Sequence, residues 1–217
     1  MNLYLIGIII LSVTVSMKGF QDFSFFEKYK FNVGAVQKGE YIRLLSAGFL
    51  HGSWSHLIFN MLTLYFFAPI VIQSFGDIPF LVIYFGSMIL GNIFCLFLYK
   101  HQSWYSAIGA SGGVSGILFG AIAIFPTIGI YFFFIPIPIP GYIFGLLYFG
   151  YSVYMMINPN PQDNVGHAAH LGGAFFGLIY AVTFAPEQAI AHAFELGVMS
   201  LPLLYLGYEI IIKKRIG

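Results

Sequence analysis

Long apolar runs, separated by short polar or proline-containing stretches, dominate the chain. About 20 apolar residues span a bilayer, where a helix satisfies its own backbone hydrogen bonds. The pattern predicts an all-α polytopic membrane protein, with six spans near residues 2–17, 51–72, 77–99, 109–126, 130–156 and 165–184. Alternating prolines cannot continue a helix, so the run FFFIPIPIPG predicts the turn between the fourth and fifth spans.

Two stretches differ from this pattern. Residues 18–50 mix aromatic side chains with lysine, arginine and glutamate, which favours an amphipathic first loop in the membrane interface over a plain polar loop. Residues 187–217 carry Glu195, Pro202 and Glu209 within apolar sequence. They predict either a seventh span or a helix on the membrane surface.

A secretory signal is the alternative interpretation of the first apolar run, Leu3 to Val15. This run has no positively charged leader and no small-residue cleavage site before the charged stretch that follows it. We therefore interpret it as a first membrane helix, with Lys18 at its interfacial end.

Composition supports the membrane interpretation and indicates which kinds of partner the protein has. The chain is 59% hydrophobic and 8% charged, whereas a soluble domain carries about 25% charged residues, so we expect one membrane domain over residues 1–217. A formal net charge of +1 gives no basic patch, so we expect the lipid bilayer and not nucleic acid as a partner. The single cysteine, Cys95, is interpreted as a small buried residue.

Ionisable and polar groups inside a span are costly and indicate function. In HGSWSHLIFN, residues 51–60, His56 and Asn60 are four apart and share one helical face. His51 lies off that stripe, nearer the mouth of the helix. The alternative is that these three groups only hydrogen-bond to neighbouring helices.

Glycines recur at helical spacing in the fourth and sixth spans. Gly112, Gly116 and Gly120 repeat every four residues, which is typical of a face that lets another helix approach closely. In the sixth span, Gly173 and Gly177 continue a stripe that begins at His170, with His167 one turn earlier. Because one span separates them, these two helices are predicted to run parallel, with Ser111 and His170 at the same level.

A serine hydroxyl becomes a good nucleophile when an adjacent base takes its proton, and a neutral imidazole, with a pKa of about 6.5, can do so. The attacked carbonyl then becomes an oxyanion that needs hydrogen-bond donors, which His56 and Asn60 can supply. The nearby carboxylate, Asp163, lies in a proline-rich turn. We therefore predict a Ser111–His170 dyad and not a triad.

Three motifs in order carry a family resemblance: HGSWSHLIFN at 51–60, GASG at 109–112 and GHAAHLGGAFFG at 166–177. Together they look like the rhomboid intramembrane serine proteases, over a core of about residues 37–184. The resemblance implies a six-helix bundle that hydrolyses peptide bonds in or next to transmembrane segments of protein substrates. It also implies that neither a metal nor another cofactor takes part.

The resemblance also implies residue roles. Ser111 would be the nucleophile and His170 the general base, while His56, Asn60 and the backbone amide of Ser111 would form the oxyanion hole, supported by His51. Gly109 would hold the loop before the nucleophile. Together with Gly112 and Gly116, Gly173 and Gly177 would bring the sixth span against the fourth.

Two positions depart from the family pattern. Ile42 stands where many members have tryptophan before the arginine that matches Arg43. Ser115 stands where many members carry an aromatic residue under the catalytic imidazole, as in members whose motif reads GASGxxSG. This serine implies an imidazole held by a hydroxyl instead of a ring.

Two other function classes stay open. A catalytically inactive relative would bind membrane clients, although such proteins usually lose the serine or the histidine. A metal or haem protein could use His51, His56, His167 and His170 as ligands, but metal ligation leaves Ser111 unexplained.

The location and orientation are also expectations. We expect an integral multi-pass protein of the cell (inner) membrane of a bacterium. The lysines and arginine of the first loop place that loop in the cytoplasm by the positive-inside rule, whereas the resemblance implies an active site on the outer side. We retain the second arrangement.

Overall fold

A computed structural model describes residues 2–132, 135–160 and 162–214. The described chain is largely helical, as long apolar runs require when backbone groups must pair locally. The helices are α1 Leu3–Gln21, α2 Phe23–Tyr29, α3 Val33–Gln37, α4 Arg43–Ser46, α5 Trp54–Phe75, α6 Asp77–Leu98, α7 Ser111–Ile124, α8 Gly141–Ile157, α9 His167–Phe184, α10 Pro186–Ala191 and α11 Ala193–Ile211. The strands are β1 Phe31–Asn32, β2 Ser106–Ala107, β3 Gly129–Phe132 and β4 Ile135–Pro140.

Within the described ranges, five helices are long and apolar enough to cross a membrane, namely α1, α5, α6, α9 and α11. Helices α7 and α8 are apolar but shorter. At 1.5 Å per residue the 14 residues of α7 reach about 21 Å, less than the roughly 30 Å of a hydrocarbon core. The prediction of an all-α polytopic membrane protein is confirmed, and the two short antiparallel strand pairs are its only exceptions in the described part.

Helix α7 is the centre of the bundle. Every residue from Gly112 to Ile124 is buried, and α7 contacts α9 most extensively, followed by α6 and α5. The two glycine stripes face each other, because a side chain at Gly173 would collide with the backbone of Gly112, and one at Gly177 with that of Gly116. From the first contact to the second, the residue number rises by four in both helices, so α7 and α9 run parallel.

Replacing Gly173 or Gly177 with alanine is expected to destabilise the protein by about 1–3 kcal/mol, since the obstructing atoms are backbone atoms that cannot rotate away. Thermal unfolding in micelles measures this. Gly207→Ala in α11 is the matched control, because nothing lies within 4 Å of a Cβ at that position and alanine favours a helix. If Gly173→Ala were as stable as Gly207→Ala, the close packing of α7 on α9 would be contradicted.

The fifth span was predicted over residues 130–156, and its first part is wrong. Helix α8 begins only at Gly141, and residues before it form the antiparallel pair β3–β4. The alternating prolines are the cause, since each lacks an N–H and obstructs the preceding helical turn. Residues 133–134 of the predicted turn lie outside the described residues.

The first loop, residues 18–50, forms short helices around one buried arginine. Arg43 is 8% exposed. Its Nε donates to Glu40 Oε2, and its Nη1 donates to the carbonyls of Glu27 and Lys30, each at 2.8 Å. Strand β1 of this loop pairs with β2, just before α7, which ties the loop to the segment that leads to Ser111. Its position in the membrane interface stays a prediction.

The carboxyl-terminal segment contains α10 and α11, and α11 packs mainly along α8. The length and composition of α11 suit a seventh span, while its actual crossing of a membrane stays a prediction. Cys95 is fully buried in α6, as predicted.

Candidate active site

The starts of α7 and α9 bring Ser111 and His170 together. His170 Nε2 lies 2.6 Å from Ser111 Oγ, a hydrogen-bond distance between a potential base and a potential nucleophile. The pairing of Gly112 with Gly173 explains why these two side chains are close. Ser111 precedes Gly112 by one residue, and His170 precedes Gly173 by three. Each side chain therefore lies in the first turn of its helix.

Gly109 shapes the backbone before Ser111. Its φ is +111°, a conformation that favours glycine, and its N–H donates to the Ala47 carbonyl at 2.9 Å. A Cβ here would lie 2.7 Å from both Nε2 and Cε1 of His56, and 3.6 Å from Ser111 Oγ. The imidazole of His56 and the hydroxyl of Ser111 thus flank the same point, and glycine leaves that point open.

His51 ties three parts of the chain together. Its Nε2 accepts the N–H of Ala110 at 3.3 Å, and its Nδ1 lies 2.8 Å from Ser16 Oγ in α1. Ser16 donates its one hydroxyl hydrogen to the Phe49 carbonyl at 2.9 Å, so His51 Nδ1 must carry the hydrogen of the other bond. His51 is therefore a neutral imidazole that anchors the loop before Ser111 to α1.

Burial, with the nearby imidazole of His56, lowers the pKa of His51 from 6.5 to about 3. Between these pKa values the unfolded chain binds a proton that the folded chain does not. Stability from this group is therefore present above pH 6.5 and is lost as the pH falls toward 3. The direction of the shift follows from burial, which disfavours the charged imidazolium.

Acidification from pH 7.5 to 5 is therefore expected to lower the unfolding temperature of the wild type more than that of His51→Asn. Asparagine offers a donor and an acceptor but does not titrate in this range. Thermal unfolding in micelles at the two pH values measures the difference. His192→Asn, at a partly exposed position, should keep the wild-type response, and an equal response in His51→Asn would contradict the assignment.

Asn60 and the start of α7 are two candidate sources of hydrogen-bond donors. Asn60 is 7% exposed, and its Nδ2 has no hydrogen-bond partner among the described residues. The first N–H groups of a helix also lack intrahelical acceptors, so the Ser111 amide is suited to receive an anion. Buried unpaired donors are costly, so Asn60 Nδ2 is a candidate donor to a ligand.

Asp163 pairs with His167 and not with His170. Its Oδ2 lies 2.8 Å from His167 Nε2, and its Oδ1 accepts the Val165 N–H at 2.9 Å. The hydrogen bond from His167, reinforced by that amide, lowers the pKa of the Asp163 carboxyl. No carboxylate hydrogen-bonds to His170 in the part of the chain that the structure describes, so the arrangement there is a serine–histidine pair.

The described ranges contain no group of three histidine, cysteine, aspartate or glutamate side chains that could hold a metal ion. A cavity of about 790 Å³ does lie at this end of the bundle, and its lining includes His101, Asp163 and His167. Its lining residue His167 lies one helical turn before His170 in α9.

Tyr148 is a residue of this region that sequence reasoning missed. Its ring, on α8, lies against His170, and its hydroxyl is 3.3 Å from Ser115 Oγ. The imidazole of His170 therefore does have an aromatic neighbour. That neighbour comes from α8, whereas the family pattern places it at position 115 in α7. No spacing rule singles out Tyr148, since α8 carries many aromatic residues and the contact depends on how α8 docks.

A model of the rhomboid domain matches residues 38–187, more than half of this chain. The chain is 39% identical over 90 residues to the rhomboid protein YdcA of Bacillus subtilis, which covers 42% of this chain and 43% of that protein. It is 28% identical over 153 residues to RHOMBOID-like protein 12, mitochondrial, of Arabidopsis thaliana, which covers 64% of this chain and 45% of that protein.

It is also 32% identical over 149 residues to Rhomboid protease GluP of Bacillus subtilis, which covers 65% of this chain and 26% of that protein. The chain thus spans less than half the length of these relatives. Another matched relative has a name that describes it as inactive.

Proposed function

Since the chain belongs to the rhomboid family, we propose that it is an intramembrane serine endopeptidase. It hydrolyses a peptide bond in or next to a transmembrane segment of a membrane-protein substrate. The observation that carries this proposal is the distance of 2.6 Å between His170 Nε2 and Ser111 Oγ, within a bundle of apolar helices.

The first half of the reaction forms an acyl-enzyme. His170 Nε2 takes the proton of Ser111 Oγ while that oxygen attacks the scissile carbonyl carbon. The carbonyl oxygen becomes an oxyanion, which the Ser111 amide, Asn60 Nδ2 and the His56 imidazole stabilise. His170 then gives its proton to the leaving nitrogen, the C–N bond breaks, and the amine product departs.

The second half consumes one water molecule. His170 takes a proton from the water as its oxygen attacks the acyl ester, and the same donors stabilise the second oxyanion. The ester bond breaks, His170 returns a proton to Ser111 Oγ, and the acid product departs. Every proton transfer therefore uses one imidazole, as a Ser–His dyad requires.

The placement of the pair suits a membrane substrate. Because α7 is shorter than a bilayer core, its first residue lies below one membrane surface when its other end reaches the opposite surface. A transmembrane segment that enters from the side could then reach Ser111, while water reaches it from the nearby surface. The proposed substrate class is therefore a membrane protein whose transmembrane segment reaches this depth.

The test of the proposal uses the purified chain in liposomes with a fluorogenic peptide that contains a transmembrane segment. We expect cleavage of the peptide and attachment of a fluorophosphonate to Ser111. A folded wild type that neither cleaves nor takes the label would contradict the proposal. It would favour the second candidate, an inactive client-binding protein, which the name of one matched relative makes worth testing.

For its location, we propose the cell (inner) membrane of a bacterium, with the dyad end of the bundle on the outer side. Two of the matched relatives come from Bacillus subtilis, although others are named as mitochondrial. Lys28 is exposed in the first loop and Cys95 is buried. A maleimide should therefore label Lys28→Cys at position 28 and not at Cys95, which reports the side of the membrane on which the first loop lies. Labelling of this variant by an impermeant maleimide in intact bacterial cells would support the outer side, and protection until lysis would contradict it.

A further inference from the structure

Helix α8 brings an aromatic ring to the side of the proposed base. The ring of Tyr148 is nearly parallel to the imidazole of His170, with an interplanar angle of 23° and centroids 6.4 Å apart. Offset aromatic rings attract each other over roughly 4.5–7 Å. The contact therefore restricts the rotation of the imidazole.

The hydroxyl of Tyr148 is held from α7. Tyr148 Oη lies 3.3 Å from Ser115 Oγ, and Ser115, one turn after Ser111, is only 5% exposed. Burial shelters this hydrogen bond from competition by water. The helix that carries the nucleophile thus also fixes the ring that contacts the base.

Aromatic neighbours hold the Tyr148 ring on its remaining sides. Its centroid lies 5.3 Å from that of Phe119, 5.7 Å from that of Phe144 and 6.1 Å from that of Phe149. Phe144 and Phe149 belong to α8 itself, whereas Phe119 belongs to α7. The imidazole is therefore constrained from two directions, by Ser111 and by Tyr148.

We propose that Tyr148 is a positioning residue for His170. Its ring keeps the imidazole in the orientation in which Nε2 faces Ser111 Oγ, and Ser115 keeps the ring in place. Among the described residues no carboxylate hydrogen-bonds to His170, so the ring supplies the second constraint that an acid would otherwise give. This inference rests on the proposed function, and it gives Tyr148 no part in bond making.

The test compares two variants of Tyr148 and one variant of its hydrogen-bond partner Ser115 in the liposome cleavage assay. Tyr148→Leu, which removes the ring, is expected to lower kcat about tenfold and leave KM unchanged, since misoriented groups slow the chemical step and not the binding. Tyr148→Phe keeps the ring and should rescue most of the loss. Ser115→Ala should resemble Tyr148→Phe, because both remove only the hydrogen bond.

Phe80→Leu is the matched control. Phe80 in α6 is fully buried and packs on Tyr84, in another part of the hydrophobic core than Tyr148, so its truncation also removes a buried ring. We expect it to lower the unfolding temperature but not the kcat of the folded enzyme. If Phe80→Leu lowered kcat as much as Tyr148→Leu, the effect would be general packing and the proposal would be overturned.

The rate at which a fluorophosphonate labels Ser111 gives a readout without a peptide substrate. Tyr148→Leu should slow labelling, whereas Tyr148→Phe and Phe80→Leu should not. Wild-type kcat and labelling rate in folded Tyr148→Leu would overturn the positioning role alone, because cleavage itself would persist. Absence of cleavage and labelling in the wild type would instead overturn the proposed function.

Discussion

Replacing Ser111 or His170 with alanine is expected to lower kcat by at least about 10⁴-fold, the scale of losses when a serine nucleophile or its base is removed. Ser111→Ala leaves no oxygen to attack the carbonyl. His170→Ala leaves the hydroxyl, but with no acceptor for its proton at 2.6 Å. Cleavage of the transmembrane peptide in liposomes measures the loss, and fluorophosphonate labelling should vanish in Ser111→Ala and slow strongly in His170→Ala.

The double variant tests whether the two residues act as one unit. Because either change alone stops the same proton transfer, Ser111→Ala combined with His170→Ala should lose no more activity than the single variants. Ser74→Ala, at an exposed serine near the end of α5, and His192→Ala, between α10 and α11, are the matched controls and should cleave normally. Cleavage by folded Ser111→Ala at the wild-type rate would exclude Ser111 as the nucleophile.

Replacing Asn60 with alanine is expected to lower kcat about 10²–10³-fold with little change in KM, as for loss of one oxyanion donor. The reason is that Asn60 Nδ2, which is buried without a partner in the described structure, would donate only after the carbonyl oxygen gains charge. Steady-state kinetics in liposomes separate the two constants. A rise in KM with unchanged kcat would instead indicate a contact to the ground state of the substrate.

His56→Ala should also lower kcat, because the His56 imidazole and the Ser111 hydroxyl both lie next to Gly109. Asn158→Ala, at an exposed asparagine after α8, is the matched control and should leave both constants unchanged. The free Nδ2 also predicts that Asn60→Ala will not destabilise the fold strongly, since it removes an unsatisfied buried donor. Thermal unfolding of the purified variant checks this separately from activity.

Much of the site was readable from the chain because it depends on local spacing. His56 and Asn60 are four apart, and Gly173 and Gly177 repeat with the period of one helical face. An odd number of spans between two helices makes them parallel, so Ser111 and His170 were expected at one level. The family was identified from three short motifs, and the match of the rhomboid domain model to residues 38–187 confirms it.

The fifth span was predicted too long because two signals compete in one stretch. Residues 130–140 are as apolar as a span, yet Pro136, Pro138 and Pro140 lie in β4, and α8 begins only after them. The dyad was predicted without Asp163, and the fold of the turn before α9 gives this carboxylate to His167. His51 was predicted to support the site, and only the structure shows that Ser16 and Ala110 engage its ring nitrogens.

The sequence by itself determined the membrane class, most of the helices and the residues of the proposed dyad, because hydropathy and helical periodicity are properties of contiguous residues. Tertiary structure alone decided that His51 anchors the loop before Ser111, that Asn60 Nδ2 has no partner among the described residues, and that Tyr148 lies against His170. Each of these depends on contacts between residues far apart in the chain. Such contacts follow from how helices dock, and docking is set by the shape of whole packed surfaces, which no local pattern encodes.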